Sequence, residues 1–291
     1  MREWLNSQAA AGYVIYHPTS ATYELTPEQS LVLAEDDSPV FMPPAWEVPV
    51  SMFFDEEKTM NAFRTGIGVA WDEHNDRLFC GVAAFYRNAY RNNLVREWLP
   101  ALRGVEEKLR AGAKVADVGC GHGHSTILMA EAFPMSRFWG FDYHDKSIDS
   151  ARSSAQNREI ENRLNFEVAN ATSYRAEGFD LICFFDCLHD IGDPIGAARH
   201  AKRALADDGT VMLVEPFAHD RVEDNLSTVG QLYYAASSLI CCAHAISEGG
   251  RLVLGAQAGP RRLAEVFRKA GFTHFRRAAE TPFNLVFEVR R

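Results

Sequence analysis

From residue 105 to the C-terminus, short apolar runs alternate with stretches of helical periodicity. That alternation is the mark of a parallel sheet covered by helices. The runs predict strands near 113–119, 137–141, 164–168, 179–185 and 210–215. Asp193 and Pro194 supply an N-cap and a first helical position, so a helix is expected to follow the fourth run. The ending differs from what precedes it. A helix near 260–270 closes at Gly271, and Thr273–Arg277 and Phe283–Arg290 then read as two strands joined by a short turn. The predicted fold class is α/β, a sheet of seven strands finished by an antiparallel hairpin.

The first hundred residues read differently. Gly12–Tyr16 and Thr22–Thr26 are β-rich runs flanking a turn cluster, and Pro27 opens a helical stretch extending to 36. Helix, hairpin, helix resembles the end of a winged-helix domain with too few residues ahead of it to build the rest, so either a preceding segment or a partner is expected to complete it. Pro39–Pro49 holds four prolines and reads as a linker, and residues 51–104 read as helical and rich in aromatics. The expected division is 1–50 (partial winged helix, wing and linker, dimerisation), 51–104 (helical cap or connector) and 105–291 (the α/β domain). Residues 226–246 carry no Asp, Glu, Lys or Arg, a length that would span a bilayer. Six polar side chains within it, and no second such segment, predict a helix buried against the domain or a partner, with no membrane.

The chemistry begins at the first strand of the α/β region. An apolar run ends at Asp117, Gly119, Gly121 and Gly123 follow at alternate positions, and helical periodicity starts at once. Strand, glycine turn and helix N-terminus make a place where backbone approaches a small anionic ligand closely. Glycine permits positive φ and leaves no Cβ in the ligand's way. A dinucleotide fingerprint needs glycines at positions 1, 3 and 6, and position 6 here is His124. Asp142 follows the second strand, 23 positions after Gly119. A carboxylate there accepts the two hydroxyls of a ribose.

Acidic residue, glycines at 1, 3 and 5, the second-strand carboxylate and the terminal hairpin together resemble the class I S-adenosylmethionine (SAM) methyltransferases. The resemblance covers roughly 105–291 and implies a Rossmann-like sheet of order 3-2-1-4-5-7-6. It implies a SAM site formed by Asp117, Gly119, Cys120, Gly121, Gly123, Asp142, Tyr143, Asn170, Ala171, Phe185 and Asp186, with Asn170-Ala171 facing the adenine. Over its whole length the chain resembles actinobacterial winged-helix methyltransferases, which share the Gly-Tyr wing and the segments Val-Ala-Asp-Val-Gly-Cys-Gly-His-Gly and Val-Glu-Pro-Phe. Leu188-His-Asp-Ile, followed by Gly-Asp-Pro, is similar to the Leu-His-Asp-Trp segment of small-molecule O-methyltransferases of the caffeate and hydroxyindole type. That likeness implies His189 as general base, a role imidazole suits at neutral pH, and Glu215 as the acidic residue orienting it. Two departures stand out. Ile191 replaces the family's Trp, and the second orienting Glu, expected near 255–260, is replaced by Gly-Ala-Gln-Ala-Gly-Pro.

The implied enzyme is a methyltransferase acting on a hydroxyl of a small apolar or aromatic acceptor, with Tyr86, Tyr90, Tyr233 and Tyr234 lining its site. No catalytic metal is expected, because the fifth strand ends in Glu-Pro where metal-dependent relatives carry Asp-Asn. The resemblance also implies a homodimer. Composition narrows the choice of partners. Net charge is −9, and residues 1–60 hold ten acidic and two basic side chains, so no nucleic-acid partner is expected. Six cysteines without CxxC spacing fit reduced thiols in the cytoplasm, and the N-terminus has no apolar leader. Two alternatives stay open at this level: a SAM-binding winged-helix transcriptional regulator without catalysis, and an NAD-dependent oxidoreductase, which His124 disfavours.

Overall fold

The computed structural model describes all residues of the 291-residue chain except 157, 159 and 176. It opens with helix α1 (Arg2–Ala10), the two-stranded antiparallel hairpin β1 (Ile15–His17) and β2 (Thr22–Glu24), and α2 (Pro27–Leu33). Thr26 caps α2 reciprocally: its hydroxyl accepts from Gln29 N at 3.2 Å, and the Gln29 side chain accepts from Thr26 N at 2.9 Å. None of the residues of α1 or α2 is buried, and Trp4, Tyr13, Ile15 and Tyr16 are exposed.

The proline-rich stretch is more ordered than a linker. Pro43–Trp46 forms a 3-10 turn that runs directly into α3 (Glu47–Phe54). Prolines 43 and 44 occupy the first two turn positions and Pro49 the first turn of α3, where no intrahelical N–H is lost. Next come α4 (Glu56–Thr65) and α5 (Arg77–Ala89), which continues without a break into a π-helical segment, Tyr90–Trp98. Leu99 N donates to Leu94 O at 3.0 Å, the five-residue spacing of a widened turn.

After α6 (Val105–Ala111) the α/β region follows in strict order: β3 (Lys114–Val118), α7 (His124–Ala132), β4 (Arg137–Asp142), α8 (Asp145–Ala155), β5 (Leu164–Val168), β6 (Phe179–Phe185), α9 (Pro194–Ala204) and β7 (Leu205–Pro216). Then come α10 (Thr228–Leu239), α11 (Cys241–Ser247), α12 (Gly259–Ala270), β8 (His274–Glu280) and β9 (Asn284–Arg290). The seven-stranded sheet has the order β5-β4-β3-β6-β7-β9-β8; β9 alone pairs antiparallel with both neighbours. Counted from β3, this is 3-2-1-4-5-7-6, as the resemblance implies.

The sheet is buried on both faces, as parallel strands require. Leu181, Cys183 and Phe185 of β6 face one core with α7 and the π-helical segment; Ile182 and Phe184 face the other with α9 and α12. The charge-free stretch proves to be two helices, with a break at Ile240. It is long and apolar enough to cross a membrane, yet Tyr233, Ser237, Cys241, Ala243 and Ala245 are buried against the rest of the chain. A third cluster, containing Leu78, Tyr233, Ile240, Cys241 and Ala256, ties these helices to α5 above the strand ends.

Candidate active site

The turn after β3 holds Gly119, Gly121 and Gly123 at φ of +76°, +51° and +76°. The three have different duties. A Cβ on Gly119 would lie 2.7 Å from Cys187 Sγ, and one on Gly123 would lie 2.5 Å from the Phe166 ring, so packing as well as φ excludes side chains there. Gly121 has open space on its Cβ side and lines the cavity together with Gly119 and Cys120. Gly123 is instead the residue preceding α7 and does not line the cavity. Asp117 lies beneath the turn, fully buried. Its Oδ2 accepts from Ser125 Oγ at 2.6 Å and Thr126 Oγ1 at 2.7 Å, while Oδ1 has no partner among the described residues. Burial pushes its carboxyl up to about 6 against the two hydroxyl hydrogen bonds. Asp117 is thus an anchor for the start of α7 and does not reach the cavity.

Asp142 ends β4 and does reach it. One oxygen accepts from Gly121 N and the other from His144 N, both at 2.9 Å, fixing the carboxylate against the glycine turn. Tyr143 stands beside it, stacked on His244 with centroids 5.7 Å apart. Ala169 and Ala171 complete this end of the cavity. Asn170 is exposed between them and does not line it; its Oδ1 accepts from Thr172 N and Oγ1, closing a local turn. His122 and His124 stand at the turn, both held below the ordinary imidazole range chiefly by burial, His124 at about 4.

The fourth strand supplies the other end. β6 finishes at Phe185 and Asp186 follows it; both line the cavity, and Asp186, expected in the SAM site, stands near His189, Asp190 and Glu215, while Leu188–Asp190 forms a single 3-10 turn. His189 is buried there between two carboxylates. Its Nδ1 donates to Glu215 Oε2 in a close hydrogen bond, and Nε2 makes an ion-pair contact of 2.9 Å with Asp190 Oδ1. Glu215, at the end of β7, also accepts from Leu188 N at 3.1 Å, so it fixes both ring and backbone. Burial alone would lower the His189 pKa, but Asp190 and Glu215 outweigh it and hold the ring well above the ordinary imidazole range. Asp190 is therefore the second carboxylate on the histidine. The position of the glutamate sought near 255–260 holds Gly255, whose N–H donates to the His189 carbonyl at 3.2 Å. Asp190 stands in the Leu-His-Asp-Ile segment, and its adjacency to His189 is the sequence signal for this placement.

Both ends open into one cavity of about 520 Å³, roofed by the helices of 42–90 and by α10 and α11. Its walls are predominantly apolar, from Met42, Trp46, Met52, Trp71, Phe79 and Phe85. Of the four tyrosines singled out from sequence, Tyr86, Tyr90 and Tyr233 line it and Tyr234 does not. Tyr86 and Tyr90 stack at 6.1 Å along α5 and the π-helical segment, and Tyr90 packs on Phe185 at 5.4 Å. Trp71, Phe79 and Phe85, among the aromatics of the helical 51–104 region, also line it, as does His244, whose spacing does not distinguish cavity wall from core. His189, Asp190 and Cys241 each present a donor within 4.8 Å of the others. Burial pushes the Cys241 thiol up to about 12, so it keeps its proton there.

The residues at the first end fit SAM. A Cβ-free turn with left-handed backbone, a fixed carboxylate in reach of it and small residues beyond match a ribose and adenine lying across the strand ends. The comparisons agree. A profile described as "Methyltransferase domain" matches residues 109–271, more than half the chain, and the chain belongs to that family of SAM-using proteins. Among curated proteins it is similar to the 27-O-demethylrifamycin SV methyltransferase of Amycolatopsis mediterranei, 32% identical over 107 residues, which is 36% of this chain and 39% of that one. The match thus spans less than half the length of that relative. An O-methyltransferase family protein from Burkholderia thailandensis superposes with a TM-score of 0.71 at 16% identity, covering 98% of this chain and 82% of the other. A neocarzinostatin-biosynthesis O-methyltransferase, solved with SAM and 2-hydroxy-5-methyl naphthoic acid, superposes at 0.63 and 14% identity, covering 99% and 84%. At these identities the likeness to solved structures is one of fold, the class I methyltransferase fold.

Proposed function

We propose that the protein transfers the methyl group of SAM to a hydroxyl of a small apolar or aromatic molecule. The observation that carries this reading is the shared chamber: the glycine turn with Asp142 and the His189–Asp190–Glu215 cluster open into one largely apolar cavity. When bound, SAM supplies an electrophilic methyl group. The chain supplies placement and a proton acceptor. Asp142 holds the ribose hydroxyls, and the backbone of Gly119 and Gly121 lies against the cofactor. The apolar walls hold the acceptor and keep water out. His189, in its neutral form, takes the hydroxyl proton at Nε2, while Glu215 fixes the ring through Nδ1. Asp190 tunes how tightly that proton is held.

The test is calorimetry with SAM followed by transfer of a labelled methyl group to a panel of hydroxyaromatics. Absence of SAM binding, or labelling of amines alone, would defeat this reading. Homodimerisation belongs to the same proposal. Trp4, Tyr13 and Ile15 of the N-terminal lobe and Phe53, Phe54 and Phe63 of α3 and α4 are exposed, more apolar surface than a lone chain ordinarily carries. Light scattering at micromolar concentration checks it, with a monomeric mass as the contrary result.

A further inference from the structure

We propose that the acceptor is an uncharged molecule carrying a carbonyl or second hydroxyl beside the hydroxyl to be methylated, and that the free carboxyl oxygen of Asp186 reads that neighbouring group. The inference rests on the methyl-transfer reading and adds the acceptor's charge and shape.

Charge comes first. Among the described residues that line the cavity there is no lysine and no arginine; the acidic ones are Asp142, Asp186 and Asp190. The charge on His189 at the acceptor end is already matched by Asp190 and Glu215. Arg87 and Arg91 act on His124 at the glycine-turn end and neither lines the cavity. A carboxylate or phosphate on the acceptor would find no lysine or arginine counter-ion among the described residues of this poorly solvated chamber. An uncharged molecule meets aromatic and aliphatic walls.

Asp186 supplies the second half. It is one of two non-glycine residues with positive φ among the described residues, at +51°, a conformation that persists where surrounding structure enforces it. Its N–H donates to Val214 O at 2.8 Å and its Oδ1 accepts from Asn284 Nδ2 at 2.7 Å. Oδ2 is buried in the cavity wall with no partner among the described residues. Tyr86 and Tyr90 line the same cavity, whereas the Tyr233 hydroxyl is already taken, donating to Phe283 O at 2.8 Å. A buried polar oxygen left unpaired at a cavity wall calls for a ligand group opposite it. Burial, and then Glu215, push the Asp186 carboxyl well above the ordinary carboxylate range, which favours its protonated form. The O–H at Oδ2 therefore donates to an oxygen of the acceptor, while Oδ1 keeps Asn284.

The experiment measures binding to the full chain saturated with S-adenosylhomocysteine, so no turnover is needed. The probes are 1-acetyl-2-naphthol, its carboxylate counterpart 2-hydroxy-1-naphthoic acid, and 2-naphthol, which lacks the second group. The ketone is expected to bind at least ~10-fold more tightly than either of the others. Asp186→Asn should retain the preference over 2-naphthol, because the amide N–H replaces the acid O–H. Asp186→Gly, which suits the left-handed backbone, should abolish it. The proposal is overturned if the carboxylate matches the ketone, if Asp186→Gly keeps the preference or Asp186→Asn loses it, or if the ketone fails to bind below ~1 mM. Failure of S-adenosylhomocysteine to bind, scored by calorimetry beforehand, would instead strike the methyl-transfer reading.

Discussion

Replacing Asp190 with asparagine removes one of the two charges that keep the His189 ring protonated. The contact is 2.9 Å. Unit charges at that separation attract by about 6 kcal/mol at an effective dielectric of about 20. Glu215 stays in place, so the lower end of the range for breaking a buried pair, about 3 kcal/mol, is the better guide. That is a ~100-fold loss of proton affinity at His189. The sign follows from the role proposed for the ring. A protonated imidazole cannot take the hydroxyl proton, so activity of the native enzyme rises with pH along a limb above the ordinary imidazole value of about 6.5. In Asp190→Asn the limb moves to lower pH, and turnover near neutrality is retained or increased. The assay is kcat against pH at saturating SAM and acceptor, with the histidine followed by NMR in parallel. A limb that stays put or moves to higher pH refutes the reasoning. So does the same limb persisting in His189→Gln, since another group would then be titrating.

Other expectations follow from the site. Asp142→Ala loses the group bridging Gly121 and His144 and should weaken SAM binding by ~10- to 100-fold in calorimetry; unchanged affinity would remove Asp142 from the cofactor site. Gly119→Ala meets Cys187 and a φ of +76°, and should cost roughly 1–3 kcal/mol in chemical denaturation, only partly restored by adding Cys187→Ala; full restoration would show that the backbone angle is harmless. Asp117 ionises at about 6 when folded against about 3.9 when unfolded, so the native state binds the extra proton between those values and stability falls as pH rises through them, by ~3 kcal/mol in all. Asp117→Asn should therefore flatten the melting temperature between pH ~4 and ~7, and an undiminished slope would assign it elsewhere. Chelation with EDTA should leave methyl transfer intact; a loss reversed by added zinc would make His189, Asp190 and Cys241 a metal site.

The central strands were legible because each is a short apolar run buried on both faces, and the glycine turn because alternate glycines before a helix have few other uses. Asp142 was legible by its distance from that turn. Asn170 was not, because an exposed Asn two residues before Thr172 satisfies itself locally, and no spacing says which way such a side chain turns. Asp117 and Gly123 belong to the motif yet serve the fold, since a motif records that residues act together and not which of them faces the ligand. The histidine's second carboxylate was sought at a distance and lay next to it. Tyr86 and Tyr90 could be named, but not separated from Tyr234, because the cavity walls are assembled from helices more than a hundred residues apart.

The π-helical segment makes this chamber sensitive to residue count as well as residue type. Successive helical residues are turned about 100° from one another. Deleting a single residue between Tyr90 and Trp98 would restore ordinary α-helical spacing and relieve the widened turn. It would also rotate everything N-terminal to it by that angle about the helix axis, unless the downstream anchor at Leu94, Trp98 and Leu99 gave way. Tyr86 would swing off the cavity wall, and α3, packed on α5, would be carried with it. Substitutions in this wall can be absorbed one side chain at a time, whereas a one-residue deletion would re-index the whole roof. Such a change would alter which molecules enter, and through Phe79, packed on His144, it would reach the cofactor end as well, so helix length here sets both halves of the chamber.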